Sequence, residues 1–195
     1  MLFRSTPQQA PAPDELVTAA RDMGLAGFIA VAFAAAAQLL LAQRQPEQAQ
    51  TLLHELDQLT AVRTELGSVL PALLRVALAL DDQTVAEQLA TGIKPVTPLH
   101  EHALASAHAQ LAEAAGDHSA AAQLYQQAAE HWRQFGNIPE RAYALLGQGR
   151  CLATLGKPEA EAALREARDL FTTLAYQPAL AESRALLGES EAAAV

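Results

Sequence analysis

The stretch Gly116–Ala128, GDHSAAAQLYQQA, decides how the rest of this chain is read. A turn-forming glycine is followed by Ala121, Tyr125 and Ala128, so small, large and small residues stand at i, i+4 and i+7. Those positions share one face of an α-helix, where alanine admits a close neighbour and tyrosine fills the space beside it. The same pattern returns three more times. Arg44, Ala49, Leu53 and Leu56 form one instance, and Asp81, Ala86, Ala90 and Ile93 another. Gly156, Ala160, Leu164 and Ala167 form the last, one residue tighter after the turn. Successive alanines are 37, 35 and 39 residues apart, the period of a helix–turn–helix repeat.

Before each turn lies a second apolar run, near 25–42, 66–80, 99–115 and 139–155, which supplies the first helix of each pair. The spacing predicts an all-α chain with helices over 14–23, 25–43, 46–60, 62–80, 82–91, 98–115, 118–135, 138–155, 158–174 and 177–188. Gly116 and Gly156 should end their helices in left-handed conformation. Pro46, Pro139 and Pro158 suit first-turn positions, and Asp14 and Asp117 suit N-caps. Pro71 should kink or restart the fourth helix. Gly92–Pro98 reads as the longest break. It does not divide two domains, since stacked repeats share one continuous core. Pro178–Leu187 reads as a capping helix with Glu182 and Arg184 turned to water. The array is expected over 14–190, with 1–13 and 191–195 disordered.

Bulk composition agrees. Half of the 195 residues are apolar, many of them alanine, and aromatics are 5 %. Alanine favours helix and close helix contact over a thick core. A formal charge of −9 repels phosphate backbones, which argues against nucleic-acid binding. The single cysteine, Cys151, excludes an intrachain disulfide, suits a reducing compartment and reads as a buried helix residue. No secretory signal precedes the array, so the expected location is the cytoplasm. Leu25–Ala42 is uncharged over 18 residues, the lower limit for a membrane span. Eight of these are alanine, and Leu25, Phe28, Ile29, Phe33, Ala36 and Leu40 fall in steps of 3–4. A helix buried between two others fits that pattern better than a span.

Motifs for chemistry fail on spacing. No histidine pair stands at i, i+4, so the six histidines read as helix-start or solvated residues without a metal. Gly147-Gln148-Gly149-Arg150 lacks the third glycine of a dinucleotide loop and lies mid-helix, where close packing explains it. Glu161, Glu166 and Asp169 alternate with Arg165 and Arg168 as solvated ion pairs on a polar face. No catalytic residue and no cofactor site is expected.

The four signatures resemble tetratricopeptide repeats over most of 25–175, most closely over 102–174. Gly149, Leu152 and Gly156 also fall at that family's first-helix and turn positions. The resemblance implies about four repeats in a right-handed superhelix with a capping helix. It also implies a concave groove lined by the first helices. Its groove positions fall on Ser68, Arg75 and Leu78, then Ser106, Gln110 and Glu113, then Tyr143, Leu146 and Arg150. Tyr143 and Arg150 are the strongest candidate anchors, since Tyr and Arg dominate interface hot spots. The plain alternative is that these residues only cover the surface or pack the next repeat. The run RAYALLGQGRCLATLGKPEAEAALREARDLFTTLA, followed by PALAESRALL, is similar to the C-terminal helical arrays of large bacterial signalling regulators. In those, a cyclase or DNA-binding domain joined to an ATPase module precedes the array. Leu2-Phe3-Arg4-Ser5 is what a short-read sequencing adapter encodes, which points to a truncated reading frame. The expected function is a protein or peptide interaction module, non-catalytic and without membrane contact. A ligand-sensing domain and a membrane-associated helical protein are the alternatives.

Overall fold

The computed structural model describes residues 12–59, 62 and 64–189. The expectations for 1–11 and 191–195 lie outside them. Among the described residues there are ten α-helices and no strand. They are α1 (Pro13–Met23), α2 (Ala26–Ala42), α3 (Pro46–Gln58), α4 (Leu70–Ala79) and α5 (Gln83–Ala90). Then follow α6 (Pro98–Ala114), α7 (His118–Phe135), α8 (Ile138–Thr154), α9 (Ala160–Thr173) and α10 (Gln177–Leu186). Except between α3 and α4 and between α5 and α6, the connections are tight turns, and each helix packs against the next.

Turn chemistry explains the punctuation. Gly116 and Gly156 have φ of 81° and 65°, and Arg44 and Asp81 take the same left-handed conformation at 59° and 56°. All four repeat signatures therefore begin on a residue with positive φ, whether or not it is glycine. Ala175, between α9 and α10, does the same at 53°. Side chains of Asp82, Thr97, Asp117 and Asn137 accept from the backbone N–H three residues on, capping α5, α6, α7 and α8.

Three local expectations need correction. Asp14 lies inside the first turn of α1, whose N-cap is Ala12, because Pro13 already occupies the first helical position. Pro158 sits in the turn before α9 instead of in its first turn. Pro71 restarts the helix, one of the two outcomes expected, but the longest break is misplaced: a short 3₁₀ turn, Leu66–Ser68, precedes α4, which begins at Leu70. The break from α3 to α4 consequently exceeds the one at Gly92–Pro98.

The repeat alanines are buried. Ala49, Ala86 and Ala121 have no exposed surface, and Ala160 keeps 7 %. The expected continuous core is instead two clusters that share α6. Phe33, Leu53, Leu56, Leu73, Leu74 and Leu89 pack in the first, which takes Ala107 from α6. Tyr125, Trp132, Leu146, Leu164 and Phe171 pack in the second, which takes Ala103 and Ala109. Each such large side chain, buried, contributes roughly 1.5–3 kcal/mol. Alanine between them sets the close approach of the backbones.

Helix α2 packs against α1, α3 and α4 through Ala30, Phe33, Ala34, Ala37 and Leu40. Leu25 and Phe28, expected in its buried seam, are 56 % and 55 % exposed, because the seam starts one turn later. Among the described residues no helix is long and apolar enough to cross a membrane.

Glycine in α8 has the packing role expected. A Cβ on Gly147 would stand 2.4 Å from Tyr125 Cζ on α7, and one on Gly149 2.5 Å from Leu164 Cγ on α9. The two glycines thus seat α8 against both neighbours. Arg165 pairs with Glu161, Arg168 with Asp169 and Glu189, and Arg141 with Glu166, on exposed faces.

Candidate functional site

A cavity of about 500 Å³ opens between α4, α6 and α8, with the α4–α5 turn at one side and α10 at the other. Arg75, Ser106, Gln110, Glu113, Tyr143, Leu146 and Arg150 all line it, together with Leu78. Residues up to 75 positions apart in sequence are thereby brought to one hollow, because α4, α6 and α8 stand side by side. Ser68 is elsewhere. It belongs to the 3₁₀ turn before α4, is exposed, and donates its hydroxyl to the Glu65 carbonyl.

Two ion-pair clusters organise the walls. At the first, Arg75 donates from Nη1 and Nη2 to the two carboxylate oxygens of Glu140, at 2.9 and 2.7 Å. The guanidinium carbon also lies 3.8 Å from the centroid of the Tyr143 ring. Burial works to lower the Arg75 pKa, but the Glu140 charge and hydrogen bonds outweigh it and hold it above the ordinary value. Tyr143 is steadied from behind by Phe171 and Tyr176, both edge-on or tilted within the same aromatic group. Burial first, and then the Tyr176 hydrogen bond, raise the Tyr143 phenol.

At the second cluster, Glu113 accepts from Arg150 Nε at 2.5 Å and Nη2 at 2.7 Å, and from the Tyr125 hydroxyl at 2.7 Å. Arg150 Nη1 reaches on to Glu182 at 2.6 Å. The chain Tyr125–Glu113–Arg150–Glu182 therefore ties α7, α6, α8 and α10 together. Burial alone would raise the Glu113 carboxyl, yet Arg150 and Tyr125 hold it below the usual carboxylate range. Tyr125 is raised by burial and by the Glu113 charge. Cys151, buried beside them, is pushed up to about 12 by burial and Glu113, so at neutral pH it remains a thiol.

Deeper in, the Trp132 indole donates to Ser106 Oγ at 2.7 Å, and Gln110 Nε2 donates to the Pro71 carbonyl at 3.2 Å. Gln110 is 6 % exposed, and among the described residues its Oε1 has no hydrogen-bond partner.

Several contributors escaped the reading of the sequence. Glu140 lies one turn before Tyr143 on the same face of α8, a local signal that could have found it. Glu182 is exposed, as expected, and its pairing with Arg150 is what the sequence did not show. Tyr125 was assigned only to packing, although its hydroxyl ends in the cluster. Asp81, at the mouth, was visible only as a turn residue.

Among the histidines only His102 departs from expectation: His100 and His118 are helix-start residues, and His54, His108 and His131 are exposed. His100 is buried, and its ring meets the backbone at Gly67 closely enough that a Cβ there would stand 2.9 Å away. His102 sits among His131, Trp132 and Phe135, with ring centroids 5.1–5.5 Å away, because α6 and α7 face each other there. Among the described residues no group of three or more His, Cys, Asp or Glu is placed to hold a metal ion. Compared with known proteins, no family model and no curated protein matches this sequence.

Proposed function

We propose that this chain is a non-catalytic module that binds a protein or peptide segment in the hollow between α4, α6 and α8. In this reading α2/α3, α4/α5, α6/α7 and α8/α9 are four tetratricopeptide-like hairpins wound as a right-handed superhelix, and α10 caps them. The module would serve as the C-terminal part of a larger bacterial signalling or transcriptional regulator, in the cytoplasm. The observation that carries the proposal is the convergence of Arg75, Gln110, Glu113, Tyr143 and Arg150, from three helices, on one cavity. Tyrosine and arginine held rigid by ion pairs make good anchors, because little side-chain entropy is left to lose on binding. Burial and the Glu113 charge keep Tyr125 a neutral phenol and Cys151 a thiol at neutral pH, and the Glu113 carboxylate is held by Arg150 and Tyr125, which supports a binding role over a catalytic one.

A photo-crosslinking residue at Tyr143 tests this against one at Gln127, which is exposed on α7. A defined partner captured from position 143 and not from 127, whose purified form binds about tenfold more weakly to Tyr143→Ala, is the expected result. Equal capture from both positions would remove the groove from the account.

The ligand-sensing alternative is favoured by one observation, the cavity volume of about 500 Å³, which lies in the range of small-molecule sites. Native mass spectrometry of the chain purified from bacterial cytosol would show a retained small molecule if that alternative holds.

A further inference from the structure

The charges around the cavity specify what kind of segment it suits. Two arginines on a cavity wall ordinarily invite an anion. Here both are already engaged: the terminal nitrogens of Arg75 lie on Glu140, while Arg150 is spread over Glu113 and Glu182. An incoming carboxylate would have to displace one of these. Asp81 adds a further carboxylate at the mouth, so the lining holds four carboxylates against two guanidiniums. That surplus of negative charge, in a chain of formal charge −9, attracts cations.

A second, independent observation points the same way. Gln110 Oε1 is a buried acceptor without a donor among the described residues, on a side chain that lines the cavity and is 6 % exposed. Such an atom is satisfied by an incoming donor, which an ammonium or guanidinium end carries and a carboxylate end does not. Leu78 and Leu146 give the walls an apolar surface on which a methylene stem can lie while its charged end seeks the carboxylates.

We propose that the groove takes an extended peptide segment bearing lysine or arginine, one basic side chain entering the cavity toward Gln110 between Leu78 and Leu146. This rests on the peptide-binding reading above. Length favours a segment over a free amine. The acidic ends, Asp81 beside α4 and Glu182 on α10, are separated by the successive helices α4, α6, α8 and α10. At about 8–10 Å per helix contact, spanning them takes roughly eight extended residues at ~3.3 Å each. A small amine reaches one end only.

The test uses the whole chain and an acetylated, amidated peptide of alternating glycine and lysine as the probe. Matched glycine–glutamate peptide and free spermidine are run beside it. Binding is read by calorimetry and by the fluorescence of Trp132, the single tryptophan, whose indole bonds to Ser106 in the cavity wall. The lysine peptide should bind, weaken with added salt, and lose about tenfold in affinity in Asp81→Asn/Glu182→Gln. Glu130→Gln/Glu161→Gln, which removes two exposed carboxylates away from the cavity, should leave binding unchanged. An equal loss in both double variants would mean diffuse attraction and overturn the proposal. So would tighter binding of the glutamate peptide, or spermidine binding as tightly as the lysine peptide. If the lysine peptide fails while crosslinking from Tyr143 still captures a partner, the cationic assignment falls and the peptide-binding reading stands. If both fail, both fall.

Discussion

Arg75 of α4 lies over the ring of Tyr143 in α8, 3.8 Å from its centroid, across a sequence gap that spans three whole helices. With Glu140 completing the contact through two hydrogen bonds, this is where the two halves of the core are fastened on the cavity side. The pair is largely shielded from water, with side chains 24 % and 18 % exposed. Removing one partner strands the other's charge. Arg75→Met should lower stability by about 2 kcal/mol. The double variant Arg75→Met/Glu140→Met should recover part of that loss. Urea titration of the parent, both single variants and the double variant checks it, and strictly additive effects would contradict the coupling.

Ala121 is the repeat alanine of α7 and has no exposed surface. An aspartate there would bury an unpaired charge at the helix contact. Ala162, on α9, is exposed and carries the same helix propensity. Ala121→Asp should cost about 3 kcal/mol or more, and Ala162→Asp well under 1 kcal/mol. Equal melting temperatures would show that the repeat register is misplaced.

Gly147→Ala opposes two effects of known sign. Alanine improves helix propensity by about 1 kcal/mol. Its Cβ, however, would stand 2.4 Å from the Tyr125 ring, which cannot swing aside freely because its hydroxyl is bonded to Glu113. Overpacking of this kind costs about 1–3 kcal/mol, so the net change is a loss. Adding Tyr125→Leu, which shortens the facing side chain, should narrow the gap between glycine and alanine at 147. Thermal melts of the four combinations measure it.

Ala175 holds φ of 53°, a conformation that an L-residue with a Cβ enters at about 1 kcal/mol or more. Ala175→Gly removes that strain and adds some freedom to the unfolded chain, so a gain of about 0.5 kcal/mol is expected. A lower denaturation midpoint for the glycine variant would show that the strain is absorbed elsewhere.

What could be read in advance follows from range. The alanine seams, the turn positions and the helix bounds depend on residues within about two turns of each other, and local periodicity carries them. Arg44 and Asp81 were recognisable at turn positions only because the repeat placed them where glycine stands in the later pairs. Apart from Ser68, the positions named through the resemblance line the cavity, since each occupies a fixed place on its own helix. Their partners could not be named. Glu140 and Glu182 meet arginines 65 and 32 residues away, and no local spacing encodes which carboxylate an arginine will choose. The exposure of Leu25 and Phe28 was equally hidden, since an apolar residue reads the same whether or not a neighbour covers it.

His102 illustrates the same point with a measurable consequence. Its ring is stacked near His131 and edge-on to Trp132 and Phe135. Desolvation first, and the neighbouring His131 second, push its pKa below the ordinary 6.5, with Glu101 opposing. Because the folded state holds the proton less tightly than the unfolded one, the unfolded chain takes up more protons as the solution is acidified. This contribution to stability is intact above the unfolded pKa and is lost as pH falls from there through the folded pKa. His102→Phe keeps an aromatic ring against Trp132 and removes the titrating group. Its stability should therefore fall less than that of the parent between about pH 7 and about pH 5. Below that window the ion-paired carboxylates begin to protonate in both chains, so the difference between them, and not the absolute decline, reports on His102. Parallel pH profiles for the two would place His102 in water, in conflict with its position between α6 and α7.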